Sequence, residues 1–514
     1  MPNKITVILI LIIAIAIFFR FWQFGSIPPG LYQDEAMNGA DALSSLKTGN
    51  FSVFYQNNNG REGMIVWLDA LAIKALGTQP WALRLFPALA GVLAVLGLYF
   101  LAKELLSVEV ALASSFFMAV SFWAVNFSRI GFRAGLMLLF LIWSFYFLIR
   151  EFKLSKSDFY NFYRSPTSII LIFLAGILFG LGFYTYISYR FAPVLVAAFF
   201  IPYLIKYGNK KLWTGFLLFT ITGFIIALPI GLYFLNNPGD FFGRSGQVAI
   251  WSAENPLKAV AISTASTLGM FNVVGDFNWR HNYAGSSELF WPVGILFLLG
   301  LGISVKRLGF SEKFMLAWLG IFLLPNILST EGNPHALRAL GAMPAAMIFS
   351  GIGLLWLYGK IQNYVDHKRV KKEIFWLLIV FLVFIAGFEF NKYFNHWASN
   401  PRVFDAFSGN QVELANYLNG LPEEVKKYAL WHPDDRPTDN GLPVSAQTVY
   451  FLTRGKEQIN YLRADETAKI ELGKNSTVIT PIYFNTDLLH NLQKKYPKSR
   501  IEIIGLNVGA VIVP

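Results

Sequence analysis

The chain has 514 residues, of which 55% are hydrophobic and only 14% charged, with 49 Phe, no Cys and a formal net charge of +12. A typical soluble protein carries about 25% charged residues, so the composition excludes soluble, secreted and disordered classes and makes lipid the main solvent. The positive charge gathers in short loops between apolar runs, which speaks for membrane topology and not for a nucleic-acid partner, and the lack of Cys excludes disulfides and thiolate metal sites.

Residues 5–22 form an apolar run long enough to cross a bilayer, which takes about 20 residues. Only Lys4 precedes it and no small-x-small cleavage site follows, so it reads as a retained first helix. A long segment, 24–82, comes next. It ends in an amphipathic run, 63–77, that carries Asp69 and Lys74. That run is short for a span and suits a helix lying on the membrane surface. Further apolar segments fall at 83–102, 108–126, 133–149, 168–187, 191–205 and 213–235. After a second long connection, 236–290, rich in Gly, Asn and Trp, they resume at 291–305, 314–330, 338–358 and 374–391. The total is about eleven spans.

From residue 392 the composition turns polar. Short β-like runs at 448–453, 476–482, 500–504 and 509–513 alternate with helical patterns at 411–418 and 486–495, which predicts an α/β domain. The expected organisation is a polytopic α-helical membrane domain, 1–391, followed by a C-terminal α/β domain, 392–514.

Charge asymmetry sets the expected orientation. With the N-terminus inside, the inside loops hold Lys103; Arg150, Lys153, Lys156 and Arg164; Lys206, Lys210 and Lys211; Lys306, Arg307 and Lys313; and Lys360, Lys368, Arg369, Lys371 and Lys372. No inverted assignment gives a comparable bias. An odd number of spans then puts 24–82, 236–290 and the C-terminal domain outside, on a multi-pass protein of the plasma membrane.

Ionisable residues in or beside membrane spans are expensive to place and so point to function. After the first span comes Pro28-Pro29-Gly30-Leu31-Tyr32-Gln33-Asp34-Glu35. The prolines and glycine end one helix and Asp34 opens another. A helix cap explains both acids; a carboxylate poised to take a proton from an attacking hydroxyl explains Asp34 equally well. Neighbouring helical residues point about 100° apart, so one of the pair does chemistry while the other anchors the loop or helps hold a cation. In the tail, His432-Pro433-Asp434-Asp435 looks like a metal cluster, but such residues in a Pro-rich loop usually form a turn.

Several motifs then follow in order. They are Gly60-Arg61-Glu62-Gly63, Arg84-Leu85-Phe86-Pro87-Ala88-Leu89-Ala90-Gly91, Ser128-Arg129-Ile130-Gly131-Phe132-Arg133, Gly275-Asp276-Phe277-Asn278-Trp279-Arg280-His281-Asn282 and Pro334-His335-Ala336-Leu337-Arg338. With the Asp34-Glu35 pair, they resemble the GT-C-type membrane glycosyltransferases. The likeness is to the family-39-like group, which includes protein O-mannosyltransferases and the aminoarabinose transferase that modifies lipid A. It covers about residues 1–360.

The resemblance implies a GT-C-like fold and a glycosyltransferase, hexosyl or pentosyl. Its donor would be a polyprenyl-phosphate-linked sugar with its lipid in the bilayer, and the sugar would pass with inversion to a hydroxyl of a lipid, protein or glycan. Asp34 matches the family's catalytic aspartate, with Glu35 beside it. A phosphate leaving group wants cations, Arg above all, and Arg280, His281, Arg338, His335, Arg129 and Arg133 are the candidates. Arg61, Glu62, Asp276 and Arg190 are further site candidates. Arg61 and Glu62 could equally pair with each other, Arg129 and Arg133 with Glu35 or Asp276, and His335 with Arg338 as an interfacial couple. No Asp-x-Asp occurs on an outside loop, so the sequence gives little support to an obligatory divalent metal, and metal identity stays open. A divalent cation could still sit on Asp34, Glu35 and a His. The competing classes are a transporter or flippase of lipid-linked envelope precursors, which would favour broken helices at mid-membrane and inverted repeats, and an inert receptor whose tail binds glycans.

Overall fold

The computed structural model describes residues 3–157, 166–454, 458–505 and 507–514; Arg164 and the side chains of Lys153 and Lys156, expected in an inside loop, lie outside the described residues. Helix α1 (Lys4–Phe21) is the first apolar run. Pro28, Pro29 and Gly30 then turn the chain, Gly30 with φ +74°, into helix α2 (Gln33–Thr48). A two-residue hairpin, β1 (Phe54–Tyr55) against β2 (Arg61–Glu62), leads to helix α3 (Met64–Leu76).

Helix α3 starts after Gly63 and stops at Gly77, as its pattern predicts. Its 13 residues reach about 20 Å, too short for a hydrocarbon core of about 30 Å. One face is buried while Leu71 and Leu76 are exposed. The buried face carries Asp69, whose carboxylate oxygens have no hydrogen-bond partner among the described residues. Burial, and secondarily the charge of Glu35, push its pKa well up.

Every other expected apolar segment is also helical. Among the described residues, eight helices are long and apolar enough to cross a membrane. The pair α4 (Val108–Val120) and α5 (Phe122–Arg129), bent by 57°, makes a ninth if counted as one span. One expected span, 168–187, is shorter than the sequence pattern predicts, its apolar helix covering Ile169–Gly182, while the span expected at 291–305 extends to Trp291–Arg307, 17 residues. The break at Ser121 leaves the last carbonyls of α4 without helical partners. Buried Arg20 supplies them, donating to Met118 O at 3.2 Å and Ala119 O at 2.9 Å.

The connection 236–290 is not a plain loop. It contains helices Pro238–Gln247 and Pro256–Gly269. Each opens on Asn-Pro, and Asn255 caps the second by accepting from Lys258 N at 3.1 Å. Asn at the cap and Pro in the first turn are helix-start signals.

The tail folds as a five-stranded sheet in the order β4-β3-β5-β7-β6. Its strands are β3 (Lys426–Trp431), β4 (Ile459–Arg463), β5 (Thr477–Pro481), β6 (Arg500–Gly505) and β7 (Val508–Val513). Strands β4, β3 and β5 are parallel; β7 runs against both β5 and β6. Helices Gly409–Gly420 and Thr486–Lys495 match the expected helical patterns. The expected strand at 448–453 is instead part of helix Gln447–Leu452. Tertiary packing overrides its β-rich composition: Phe451 joins the core of the membrane part and sits where a Cβ on Gly39 of α2 would fall. Thr448 Oγ1 donates to Leu31 O at 3.1 Å, which further ties tail to body.

Candidate functional site

The first turn of α2 sends its two acids in different directions. Asp34 lines a cavity of about 510 Å³, and its Oδ1 accepts from Asn58 Nδ2 at 2.7 Å. Asn58 and Asn59 hold positive φ angles of 54° and 64°, a conformation Asn tolerates better than most residues. Glu35 lies behind the cavity wall, fully buried. Its Oε1 accepts from Arg84 Nε at 2.8 Å and Gly131 N at 2.7 Å, and its Oε2 from Arg84 Nη2 at 3.0 Å and Tyr32 N at 3.1 Å. Arg84 also donates to Pro28 O and Gly30 O. Of the two places expected for the pair, Glu35, named beside Asp34 as a catalytic candidate, takes the anchoring one: it holds the turn that presents Asp34 to the cavity.

Arg61 lines the same cavity but is tied down. It pairs with Asp41 and donates to Asn38 Oδ1 at 2.6 Å and Asn57 O at 3.2 Å. It does not pair with Glu62. Glu62 lies 3.0 Å from Arg133 and 3.8 Å from Arg190. Arg133 lines the polar cavity, its guanidinium above the Tyr186 ring. Arg190 lines a second cavity, of about 590 Å³, walled by Phe183, Phe224, Leu228, Phe234 and Phe241. It donates to Phe241 O at 2.6 Å and stacks on the Phe241 and Phe234 rings. Glu62 therefore links a polar chamber to an apolar one.

The far wall comes from the stretch after helix Pro256–Gly269. Asp276 Oδ2 accepts from His281 Nδ1 at 2.9 Å and from Ala336 N at 2.9 Å, and His335 Nδ1 lies 3.8 Å away. Burial alone would raise the Asp276 pKa; the His281 hydrogen bond and the His281 and His335 charges outweigh it and hold the carboxyl below its usual range. The ionised carboxylate accepts, so His281 donates through Nδ1 and keeps Nε2 free for another partner. Arg280 stacks on Tyr32, with its guanidinium 3.9 Å from the ring centre, and its backbone carbonyl accepts from Asn126 Nδ2 at 2.7 Å. Arg280, His281, His335 and Asp276 all line the cavity with Asp34.

Two expected phosphate contacts do not line it. Arg129 is buried and donates to Phe19 O, Trp22 O and Ile27 O at 3.1, 2.7 and 2.7 Å, satisfying the carbonyls where α1 ends. Arg338 donates to Ser329 Oγ at 2.5 Å and pairs with Glu331 at 3.0 Å, bracing the loop that carries His335. Arg129 pairs with backbone carbonyls and Arg133 with Glu62, in place of the Glu35 or Asp276 partners that the sequence offered. The residues grouped for a cation also differ from those expected. Asp276, His281 and His335 offer ligand atoms within 4.8 Å of one another, a nitrogen and oxygen set that suits zinc and similar ions; Asp34 and Glu35 are not among them.

Sequence reasoning missed Tyr32, Asn38, Asp41 and Asn58 as cavity or support residues. The run Gln56-Asn57-Asn58-Asn59-Gly60 was the available signal: a dense polar turn in an apolar chain.

Residues 63–233 match the family model described as dolichyl-phosphate-mannose-protein mannosyltransferase. No curated protein matches the chain by sequence. Among solved structures, the chain is similar to ArnT from Cupriavidus metallidurans bound to undecaprenyl phosphate, with a TM-score of 0.58 and 13% identity over 99% of this chain and 98% of that one. It is also similar to the archaeal oligosaccharyltransferase AglB from Archaeoglobus fulgidus in complex with an inhibitory peptide and a dolichol-phosphate. That match has a TM-score of 0.55 and 14% identity, over 89% of this chain and 64% of that one. At these identities the likeness is one of fold. The comparisons bear out the resemblance carried by the motifs: this is a multi-pass membrane chain with the fold of the GT-C glycosyltransferases, and its sheet-containing tail lies within the match.

Proposed function

We propose that the chain is a membrane glycosyltransferase that moves a monosaccharide from a polyprenyl-phosphate donor to a hydroxyl acceptor on the outer face of the plasma membrane, with inversion and with Asp34 as the general base. The observation that carries this reading is the joining of the polar cavity, with Asp34 on one wall and Arg280, His281 and Arg133 on others, to the apolar cavity through Arg133, Glu62 and Arg190. A donor with an oily chain and one charged phosphate needs both environments within reach of each other. The family match and the ArnT complex with undecaprenyl phosphate support a donor of this class.

In this mechanism the polyprenyl chain lies along the apolar cavity and its phosphate is met by Arg280 and Arg133. Fixed cations stabilise charge that grows on the leaving phosphate. The acceptor hydroxyl enters between Asp34 and the anomeric carbon. Asp34 takes its proton, the acceptor oxygen bonds to the anomeric carbon from the face opposite phosphate, and the bond from that carbon to the phosphate oxygen breaks. Polyprenyl phosphate leaves as the anion. Asn58 orients Asp34, and Glu35 with Arg84 fixes the turn beneath it; Arg129 and Arg338 act through the segments they brace. A divalent cation held by Asp276, His281 and His335 would add positive charge beside the phosphate. The division into a membrane catalytic part, 1–391, and an outside tail, 392–514, belongs to the same proposal.

The test uses purified protein in lipid nanodiscs with a panel of polyprenyl-phosphate sugars, comparing wild type with Asp34→Asn, with and without EDTA. Release of polyprenyl phosphate by the wild type and its loss in the variant are expected. Normal turnover by Asp34→Asn overturns the base assignment, and failure to bind or consume any donor overturns the class.

A further inference from the structure

The polar cavity carries more charge than it leaves available. Of the ionisable side chains on its walls, Arg61 is paired with Asp41, Arg133 with Glu62, Glu331 with Arg338, and Asp276 with His281 and His335. Among the described residues, Asp34 and Arg280 alone of the cavity's charges have no opposite charge within ion-pair distance. These two are the charges the proposed transfer uses, one as base and one against the phosphate. An ammonium group on the sugar would neutralise Asp34, and a carboxylate would take Arg280 from the phosphate. Any other place leaves the added charge unpaired, which is costly away from bulk water.

What the walls offer instead suits hydroxyls. Asn278 accepts from Arg280 N at 3.0 Å through Oδ1, and its amide nitrogen has no partner among the described residues. Asn59 is exposed, lines the same cavity and makes no side-chain hydrogen bond among the described residues. An amide group both donates and accepts, so it matches a hydroxyl without any charge.

Beside Asn278 stands Phe277, 65% exposed although it lines a polar cavity. Its backbone is held on both sides. Asp276 Oδ1 accepts from Asn278 N at 2.7 Å, and Asp276 O accepts from Gly285 N at 2.9 Å. Gly285, at φ +78°, lies against one edge of the ring, where a Cβ would sit 3.1 Å from Phe277 Cε1. The rest of the ring is open. The electron-rich face of an aromatic ring attracts the polarised C–H groups on the apolar face of a sugar. A ring fixed before the ligand arrives spares the cost of ordering it.

We propose that Phe277, Asn278 and Asn59 form the donor-sugar subsite of this cavity, and that it takes a sugar bearing hydroxyls and no ionised group. The apolar face of the sugar lies on the Phe277 ring and its hydroxyls meet the two amides. The inference deepens the glycosyltransferase reading above and rests on it.

The experiment separates the subsite from that reading. Full-length protein in lipid nanodiscs is given polyprenyl-phosphate donors in matched series. The gluco, manno and galacto series each hold a neutral sugar, its amino sugar and its uronate; an arabino series holds the neutral and amino forms. Binding is measured against bare polyprenyl phosphate, and donor hydrolysis is followed in parallel, for wild type, Phe277→Ala and Asn59→Gly. Wild type is expected to bind the neutral member of at least one series about 100-fold more tightly than its ionised members. Each variant is expected to bind that donor about 3- to 10-fold more weakly. Donor KM should rise by the same factor, with kcat, the thermal transition and the affinity for bare polyprenyl phosphate unchanged. Equal weakening for bare polyprenyl phosphate marks Phe277 as a lipid contact and overturns the subsite, as does unaltered donor affinity in both variants. Turnover of an ionised donor as efficient as that of its neutral partner keeps the glycosyltransferase reading and overturns the subsite alone. Failure of wild type to bind any polyprenyl phosphate, bare or sugar-bearing, removes that reading and the subsite with it.

Discussion

The Glu35 carboxylate meets the Arg84 guanidinium at 2.8 and 3.0 Å with both side chains buried, while the adjacent Asp34 lines the cavity. One peptide bond thus separates an acid committed to structure from an acid available for chemistry. Removing one member of a buried pair strands the other charge and costs about 3–5 kcal/mol. Arg84→Met is expected to lower the thermal transition of the protein sharply and to reduce the folded yield. A transition within a degree of wild type would show that the pair is dispensable.

On the proposed mechanism, Asp34→Asn removes the base and keeps the shape. Transfer is expected to fall by about 10²–10⁴ in kcat with donor binding retained. Asn58→Ala leaves the carboxylate in place without its orienting donor, and a smaller loss of about tenfold is expected. Steady-state transfer assays order the two variants; an Asn58→Ala defect as large as that of Asp34→Asn would contradict the assignment.

The arginines divide by location. Arg280→Ala is expected to raise donor KM by about 10- to 100-fold, the value of a charged hydrogen bond, with little change in the thermal transition. Arg129→Ala and Arg338→Ala are expected to do the reverse, because those side chains satisfy carbonyls and brace a loop. Donor titrations paired with melting curves separate the groups.

How far the sequence reveals this arrangement depends on the reach of each signal. Asp34 is legible because Pro28, Pro29 and Gly30 stop one helix just before it, and the Gly63 and Gly77 boundaries of α3 are equally local. The fate of Arg129 is not, since it is decided by the end of α1 packing against it from about a hundred positions away in the chain. The cluster of Asp276, His281 and His335 is gathered from separate segments, so each residue looks isolated in one dimension. In the tail, Gln447–Leu452 carries strand-forming residues, yet docking on α2 makes it a helix. Strands β3 and β4 escaped notice because they lack a clean apolar–polar alternation: β3 is buried along nearly its whole length.

Asp69 gives a pH signature. Its folded pKa is raised by burial first and by the Glu35 charge second, so its contribution to stability is complete below the ordinary value of 3.8 and is lost as pH rises through the raised one. Each pH unit of that window is worth about 1.4 kcal/mol. Asp69→Asn is expected to fold normally and to flatten the decline. Parallel melting curves across the pH range check this; identical slopes for the two proteins would refute it.

The Asp276, His281 and His335 cluster is expected to bind zinc. Metal analysis of protein purified without chelator should show bound zinc, and His335→Ala should lower its occupancy. Removal by EDTA is expected to lower the thermal transition, because the ligands join the 276–281 stretch to the 335 loop. Equal metal content in wild type and variant would exclude the cluster.

Glu62 stands between Arg133 of the polar cavity and Arg190 of the apolar one. Under the proposed function that border becomes a selection rule on the shape of the donor: a water-soluble nucleotide sugar would fill only the wet half and a plain lipid only the oily half, so a molecule that satisfies both would arrive along the bilayer with its head already turned toward the arginines.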